Sequence, residues 1–255
     1  MASDSVRTLL VTGASSGIGT FIAREGAKQG FRIAIGARRV ERLEEVAAEL
    51  RALGGEVFAG ALDVSDATSV ESFFGASEAA LGPADVIVNN AGHSRPARMH
   101  EYPTEQLRSE IETNLLGAMF VTRRALQPLL AEGRRGDIVF ISSDSVRNPR
   151  PGQLAYGATK AALENLADGL GKELEGSGVR VTKIRVGPTY SEFGTDWNAE
   201  EHQQGAELWR RFGLRDSRLE GQFLPTESVA QAVMHAVTQP PGVLIDTIEI
   251  QPEVP

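Results

Sequence analysis

The sequence predicts an α/β fold: a doubly wound parallel sheet of seven strands with helices on both faces. Two observations predict it. Short apolar runs alternate with helix-like stretches through nearly the whole chain, the order expected of strands joined by crossover helices. The first apolar run also ends in a glycine-rich turn that opens straight into a helical stretch. At 255 residues such a sheet forms one domain, so residues 1–255 are read as a single unit.

Arg7 to Val11 reads as strand one. TGASSGIG, Thr12 to Gly19, follows, and a helix runs from it to Gln29 and closes at Gly30. Strand, glycine turn and helix make the context of a phosphate-binding loop. Gly13, Gly17 and Gly19 let the backbone approach a pyrophosphate, while the free N–H groups of the helix start, around Ser15, Ser16 and Ile18, offer donors. A tight turn with no ligand has the same spacing; the flanking elements favour the phosphate loop. Phe31 to Gly36 is strand two. Arg38 lies 19 residues past Gly19, where a dinucleotide fold reads the adenosine ribose. A carboxylate there would bind a free 2′-hydroxyl, whereas an arginine, with Arg39 behind it, offers a planar cation to a 2′-phosphate. The expected cofactor is therefore NADP(H) in preference to NAD(H). The plainer alternative is that both arginines only begin the solvated helix Val40 to Leu53.

Glu56 to Leu62 is strand three, ended by Asp63 and Val64, and Asp66 then caps a helix to about Leu81. Asp85 to Val88 is strand four, followed by NNAG, Asn89 to Gly92. Pro103 to Leu130 reads as one long helix carrying Asn114, an amide that needs a partner if buried. Strand five, IVFISS, ends at Ser142 and Ser143. The next helix runs to about Glu175, and Val179 to Val186 is strand six. From residue 187 to about 225 no strand is expected. This segment is read as a lid beside the strand ends, with Phe193, Trp197, Trp209 and Phe212 either lining it or anchoring it. Glu227 to Thr238 is the last helix and Val243 to Ile250 the seventh strand.

Within the fifth helix, AYGATKAAL places Tyr156 four residues before Lys160, one turn apart on one face. A phenol ordinarily titrates near pH ~10, and an ammonium held beside it favours the phenolate. The pair reads as a general acid with its tuner, although a surface helix pair gives the same spacing.

Composition removes other classes. The net charge is −8 with no long basic run, which argues against nucleic acid or an anionic membrane as partner. Cysteine is absent and the four histidines lack ligand spacing, so no thiol chemistry and no metal site are expected. The residues ahead of strand one predict no secretory leader, and no apolar run is long enough for a bilayer. The expectation is a soluble, cytoplasmic protein with a small-molecule substrate.

TGASSGIG, NNAG, Asn114, Ser143, Tyr156 and Lys160 together, in this order and spacing, resemble the short-chain dehydrogenase/reductase family, from strand one to strand seven. The resemblance implies a Rossmann-type sheet and hydride transfer between NADP(H) and a secondary alcohol or ketone. It implies Tyr156 as acid/base, Ser143 on the substrate oxygen, Lys160 on the nicotinamide ribose, and Asn114 holding a relay water. Asp63 and Val64 would flank the adenine, and Asn90, Ala91 and Gly92 its ribose side. Pairing of the long helices implies a homotetramer or homodimer. After strand six the chain departs from the family's usual Asn-Pro-Gly-Pro-Val-x-Thr. Gly187 and Pro188 keep register, and Thr189 and Ser191 still offer groups to a carboxamide. Arg185 is a bulky charge where a small amide is usual, and the sequence does not reveal its partner. Two further readings stay open. One is a reductase of carrier-bound 3-oxoacyl thioesters, for which Arg95, Arg98, Arg147 and Arg150 would have to form a basic surface. The other is a non-catalytic NADP-binding redox sensor.

Overall fold

The structure, a computed structural model, describes residues 6–195, 197–211 and 223–253. Seven parallel strands form one sheet in the order β3-β2-β1-β4-β5-β6-β7. They are β1 (Thr8–Thr12), β2 (Arg32–Ala37), β3 (Val57–Ala61), β4 (Val86–Asn89), β5 (Gly136–Ser143), β6 (Val179–Val186) and β7 (Thr247–Ile250). The helices are α1 (Gly17–Lys28), α2 (Val40–Ala52), α3 (Ala67–Leu81), α4 (Thr104–Ile111), α5 (Gly117–Ala131), α6 (Leu154–Glu173), α7 (Ala199–Arg211) and α8 (Thr226–Val237).

Period-two alternation along β1 divides the core. Leu9 and Val11 pack with Ile22 of α1, Leu43 of α2 and Val233 of α8 on one face. Leu10 packs with Phe74 of α3, Leu129 of α5 and Leu163 of α6 on the other. All these side chains are essentially inaccessible to water, as a sheet covered on both faces requires. Strand order reverses between β1 and β4, and the crevice at the carboxyl ends of those two strands is where such a sheet receives a ligand. Asp66 does cap α3, accepting from the Thr68 N–H at 2.9 Å, a contact worth about 1 kcal/mol.

Three expectations change. The long helix is not continuous: a π-helical turn at Glu112–Leu116 separates α4 from α5, and Asn114 sits in it. The seventh strand is only Thr247–Ile250, because side chains of β6 take the carbonyls before it. Thr182 Oγ1 donates to Ile245 O at 2.8 Å and Arg180 Nη1 to Val243 O at 2.8 Å. The segment after β6 has more structure than expected. Thr189 pairs with Leu224 in a single bridge, and α7 occupies Ala199–Arg211. Its signal was present in the sequence as acids at the start, Glu200 and Glu201, and bases at the end, Arg210 and Arg211. Phe212 lies outside the described residues.

Candidate active site

A cleft of about 1390 Å³ opens at the carboxyl edge of the sheet, larger than the roughly 300–1,000 Å³ of a typical single-ligand site. The glycine loop and NNAG form its floor. Asn90 Nδ2 donates to Thr12 O at 2.8 Å, and the Ala91 N–H donates to Thr12 Oγ1 at 3.0 Å. This stitching leaves no space for a side chain: a Cβ on Gly13, which has φ +67°, would lie 2.8 Å from Ala91 Cα. A Cβ on Gly19 would lie 2.6 Å from Asn90 Nδ2.

The Ser16 side chain, at the N-cap of α1, does not cap the helix. Its hydroxyl instead accepts from Arg39 Nη2 at 2.5 Å, and Ser15 Oγ accepts from Arg39 Nε at 3.2 Å. The first N–H groups of α1 therefore stay available to an anion. Arg38 is exposed, lines the cleft, and is held by no such partner among the described residues. Ile18, Asp63, Val64, Gly92, Gly187 and Thr189 line the same cleft. Asp63 is fixed by its acceptance of the Ser65 N–H at 3.0 Å. Ser191 lies over Gly17, its Cβ 3.5 Å from where a Gly17 Cβ would be. The set fits a dinucleotide: helix N–H groups for a pyrophosphate, arginines at the β2 end, and a strand-end carboxylate and apolar side chain beyond them.

At the other end the four expected catalytic residues converge. Tyr156 and Ser143 line the same end of the cleft, and Ser143 Oγ donates to Asp144 Oδ1 at 3.3 Å. Ser143 Oγ also accepts from the Ser145 N–H at 3.2 Å. Lys160 Nζ donates to Ile141 O at 2.7 Å and lies 5.6 Å from the centre of the Tyr156 ring. Asn114 is a well-satisfied amide: Oδ1 accepts from the His93 N–H and Nδ2 donates to His93 O, both at 2.9 Å. It holds the backbone just after NNAG against the π turn.

Burial dominates the electrostatics of the pair. Burial pushes the Tyr156 phenol up to about 12, opposed by the neighbouring Ser143 hydroxyl. Burial also lowers the Lys160 ammonium to about 8. Desolvation disfavours both charged forms. Tyr156 is therefore a protonated donor across the neutral range.

Arg185 has a definite partner. Its Nε and Nη2 hold the two oxygens of Glu164 at 3.0 and 2.5 Å, and Ser142 Oγ donates to the same carboxylate at 2.6 Å. Arg185 Nη1 reaches Glu249 at 2.7 Å, and Arg147 Nη1 reaches it at 2.9 Å. Glu164 lies one turn beyond Lys160 on α6, Ser142 precedes Ser143, and Arg185 precedes the loop at Gly187. The buried fork thus ties together the three elements that carry the site.

Sequence reasoning found the aromatic part of the substrate-side wall but missed its polar part. Ser94, Asp144 and Gln153 line it, with no motif to mark them, beside Arg150, which was considered only for a carrier surface. Arg150 pairs with Asp144 at 2.7 Å, while burial raises the Asp144 carboxyl. Phe193 lies 5.3 Å from Tyr156 between ring centres, and Trp197 backs Phe193 at 6.3 Å. Trp197 Nε1 donates to Ser94 O at 2.7 Å and Trp209 Nε1 to Pro151 O at 3.0 Å. The aromatic residues therefore both line the cleft and anchor the segment. Three of the four arginines considered for a carrier surface are engaged instead, Arg95 with Glu201, Arg147 with Glu249 and Arg150 with Asp144, while Arg98 is exposed.

Comparison with known proteins agrees with this geometry. The profile of the family described as short chain dehydrogenase matches residues 7–202. An uncharacterised oxidoreductase of Staphylococcus epidermidis is 34% identical over 254 residues, covering 99% of this chain and 100% of the relative. A glycine betaine reductase of Emericella nidulans is 33% identical over 251 residues, 97% of this chain, but the chain spans only 19% of that longer relative. Among solved structures, an alcohol dehydrogenase from the archaeon Thermococcus sibiricus, complexed with 5-hydroxy-NADP, superposes with a TM-score of 0.83 at 31% identity, covering 98% of this chain and 99% of that one. The chain belongs to the short-chain dehydrogenase family, and is an oxidoreductase of that family.

Proposed function

We propose that this chain uses NADP(H) to interconvert a ketone and a secondary alcohol on a small or hydrophobic substrate. The observation that carries the reading is the placing of Tyr156, Ser143 and Lys160 together at the end of a cleft that begins at the glycine loop and Arg38. When bound, the nicotinamide supplies the hydride. Tyr156 donates its proton to the substrate oxygen as negative charge grows there, and Ser143 directs a second hydroxyl to that oxygen. A phenol raised to about 12 keeps that proton at neutral pH. Lys160 and Gly92 hold the ribose beside it. Asn114 fixes the backbone at His93.

Gly13, Ser15, Ser16, Gly17, Ile18 and Gly19 bind the pyrophosphate, and Arg38 and Arg39 the 2′-phosphate. Asp63 and Val64 flank the adenine, Asn90 and Ala91 its ribose, and Gly187, Thr189 and Ser191 the carboxamide side. NADP(H) is supported by the two arginines after β2 and by the 5-hydroxy-NADP complex of the similar alcohol dehydrogenase. The chain works as one unit in a cytoplasmic homo-oligomer. Exposed Ile111, Leu116 and Met119 near the π turn and Leu154 on α6 give two copies apolar surface to bury. Among the described residues no helix is long and apolar enough to cross a membrane. A panel of ketones and aldehydes with NADPH and NADH, followed by cofactor absorbance, tests the reading. Turnover of apolar ketones with NADPH at least tenfold above NADH supports it; equal use of both cofactors, or no turnover, refutes it.

A further inference from the structure

An acidic side chain already occupies the basic corner of the cleft. Glu192, in the turn after β6, accepts from Arg39 Nη1 at 3.3 Å through one oxygen and from Arg42 Nη1 at 2.9 Å through the other. Arg39 is the same guanidinium that holds Ser15 and Ser16 at the mouth of the glycine loop. Arg42 follows it by three residues at the start of α2, so the two side chains project from one face. Together they form an anion site, and its present anion comes from the chain itself.

We infer that Glu192 is a specificity-determining residue that competes with a 2′-phosphate for Arg39 and thereby sets how strongly the protein discriminates between phosphorylated and unphosphorylated adenosine ribose. The inference rests on the proposed NADP(H) site. A guanidinium whose Nε and one Nη are committed to serines has one remaining edge to offer, and Glu192 holds it. A 2′-phosphate arriving there must displace the carboxylate or tolerate a like charge beside it; each weakens its binding. An unphosphorylated ribose meets no such competition. The same turn carries Phe193, whose ring lies on Tyr156, so displacing Glu192 loosens a tether of the substrate wall as well.

All three charged groups are exposed: Arg39 51%, Arg42 54% and Glu192 41%. Each pair is therefore worth no more than about 1 kcal/mol, and their release corresponds to roughly a three- to tenfold effect, without risk to folding. The test is calorimetric titration of the intact protein with 2′,5′-ADP and with 5′-ADP, neither of which contains nicotinamide. Glu192→Gln should tighten 2′,5′-ADP about three- to tenfold and leave 5′-ADP unchanged. In an Arg39→Gln background the gain should vanish. If Glu192→Gln tightens both ligands equally, or tightens 2′,5′-ADP as much without Arg39, the effect is a general field and the inference is overturned. If the unaltered protein prefers 2′,5′-ADP and Glu192→Gln changes nothing, the inference fails while the NADP(H) reading stands. Equal affinity of the unaltered protein for both ligands counts against the NADP(H) reading; a preference then created by Glu192→Gln would still support the competition, and none would end both.

Discussion

The two ends of the cleft are held together in different ways. At the catalytic end, β5, α6 and β6 meet around a buried fork in which Arg185, Glu164 and Ser142 satisfy one another. At the outer end, residues 187–195 and 197–211 are secured by indole N–H bonds, one ring on Tyr156, the exposed ion pair Arg39–Glu192 and the half-buried pair Arg95–Glu201. A buried charge pair is costly to break because the survivor stays desolvated, whereas exposed pairs exchange readily with water. The acid is thus fixed in place, while the wall that faces the substrate is held by weaker bonds.

The largest effect should come from the fixed end. Tyr156→Phe keeps the ring and removes the donor, and single-turnover reduction should slow by about 100-fold or more with cofactor affinity retained. Hydride transfer at the unaltered rate would show that another group is the acid.

Next is the fork itself. Arg185→Met leaves Glu164 buried and unpaired, a loss of about 3–5 kcal/mol, which lowers the melting temperature by on the order of 10 °C. The Arg185→Met, Glu164→Leu double variant should recover much of this. A scanning-calorimetry shift below about 2 °C for the single variant would mean that the fork is not a structural tie.

The pH profile sharpens the comparison further. Lys160 is depressed from 10.5 to about 8, so its ammonium persists below pH 8 and is lost above it, while Tyr156 stays protonated to about 12. The kcat/KM for reduction should be flat below pH 8 and fall roughly tenfold per unit above it. A fall that begins only near pH 10 would contradict control by a desolvated lysine. For folding, the same depression means that a penalty present below pH 8 is relieved between 8 and 10.5, since the unfolded chain binds the extra proton there.

The smallest structural effect belongs to the loosely held end. Phe193→Ala should raise KM for apolar ketones several-fold while changing stability by no more than about 2 kcal/mol, because Phe193 is only partly buried. A larger effect on kcat than on KM would mean that the ring positions Tyr156 rather than the substrate.

The sequence by itself determined the order of strands and helices, the glycine loop and the position of Tyr156 before Lys160. Alternation of apolar runs and i,i+4 spacing are local, and local pattern is what fixes which face of a strand or helix is buried. Asp66 was legible as a cap for the same reason. Only the tertiary structure decided that Arg185 answers Glu164, that Asn114 lies in a π turn and holds His93, and that Glu192 reaches Arg39 from 153 positions away. It also decided that Tyr156 is buried, which raises its phenol above the ordinary value. Spacing shows that a cation is near the phenol, but the balance between that attraction and burial depends on how much water the packed core excludes, which no short stretch of sequence encodes.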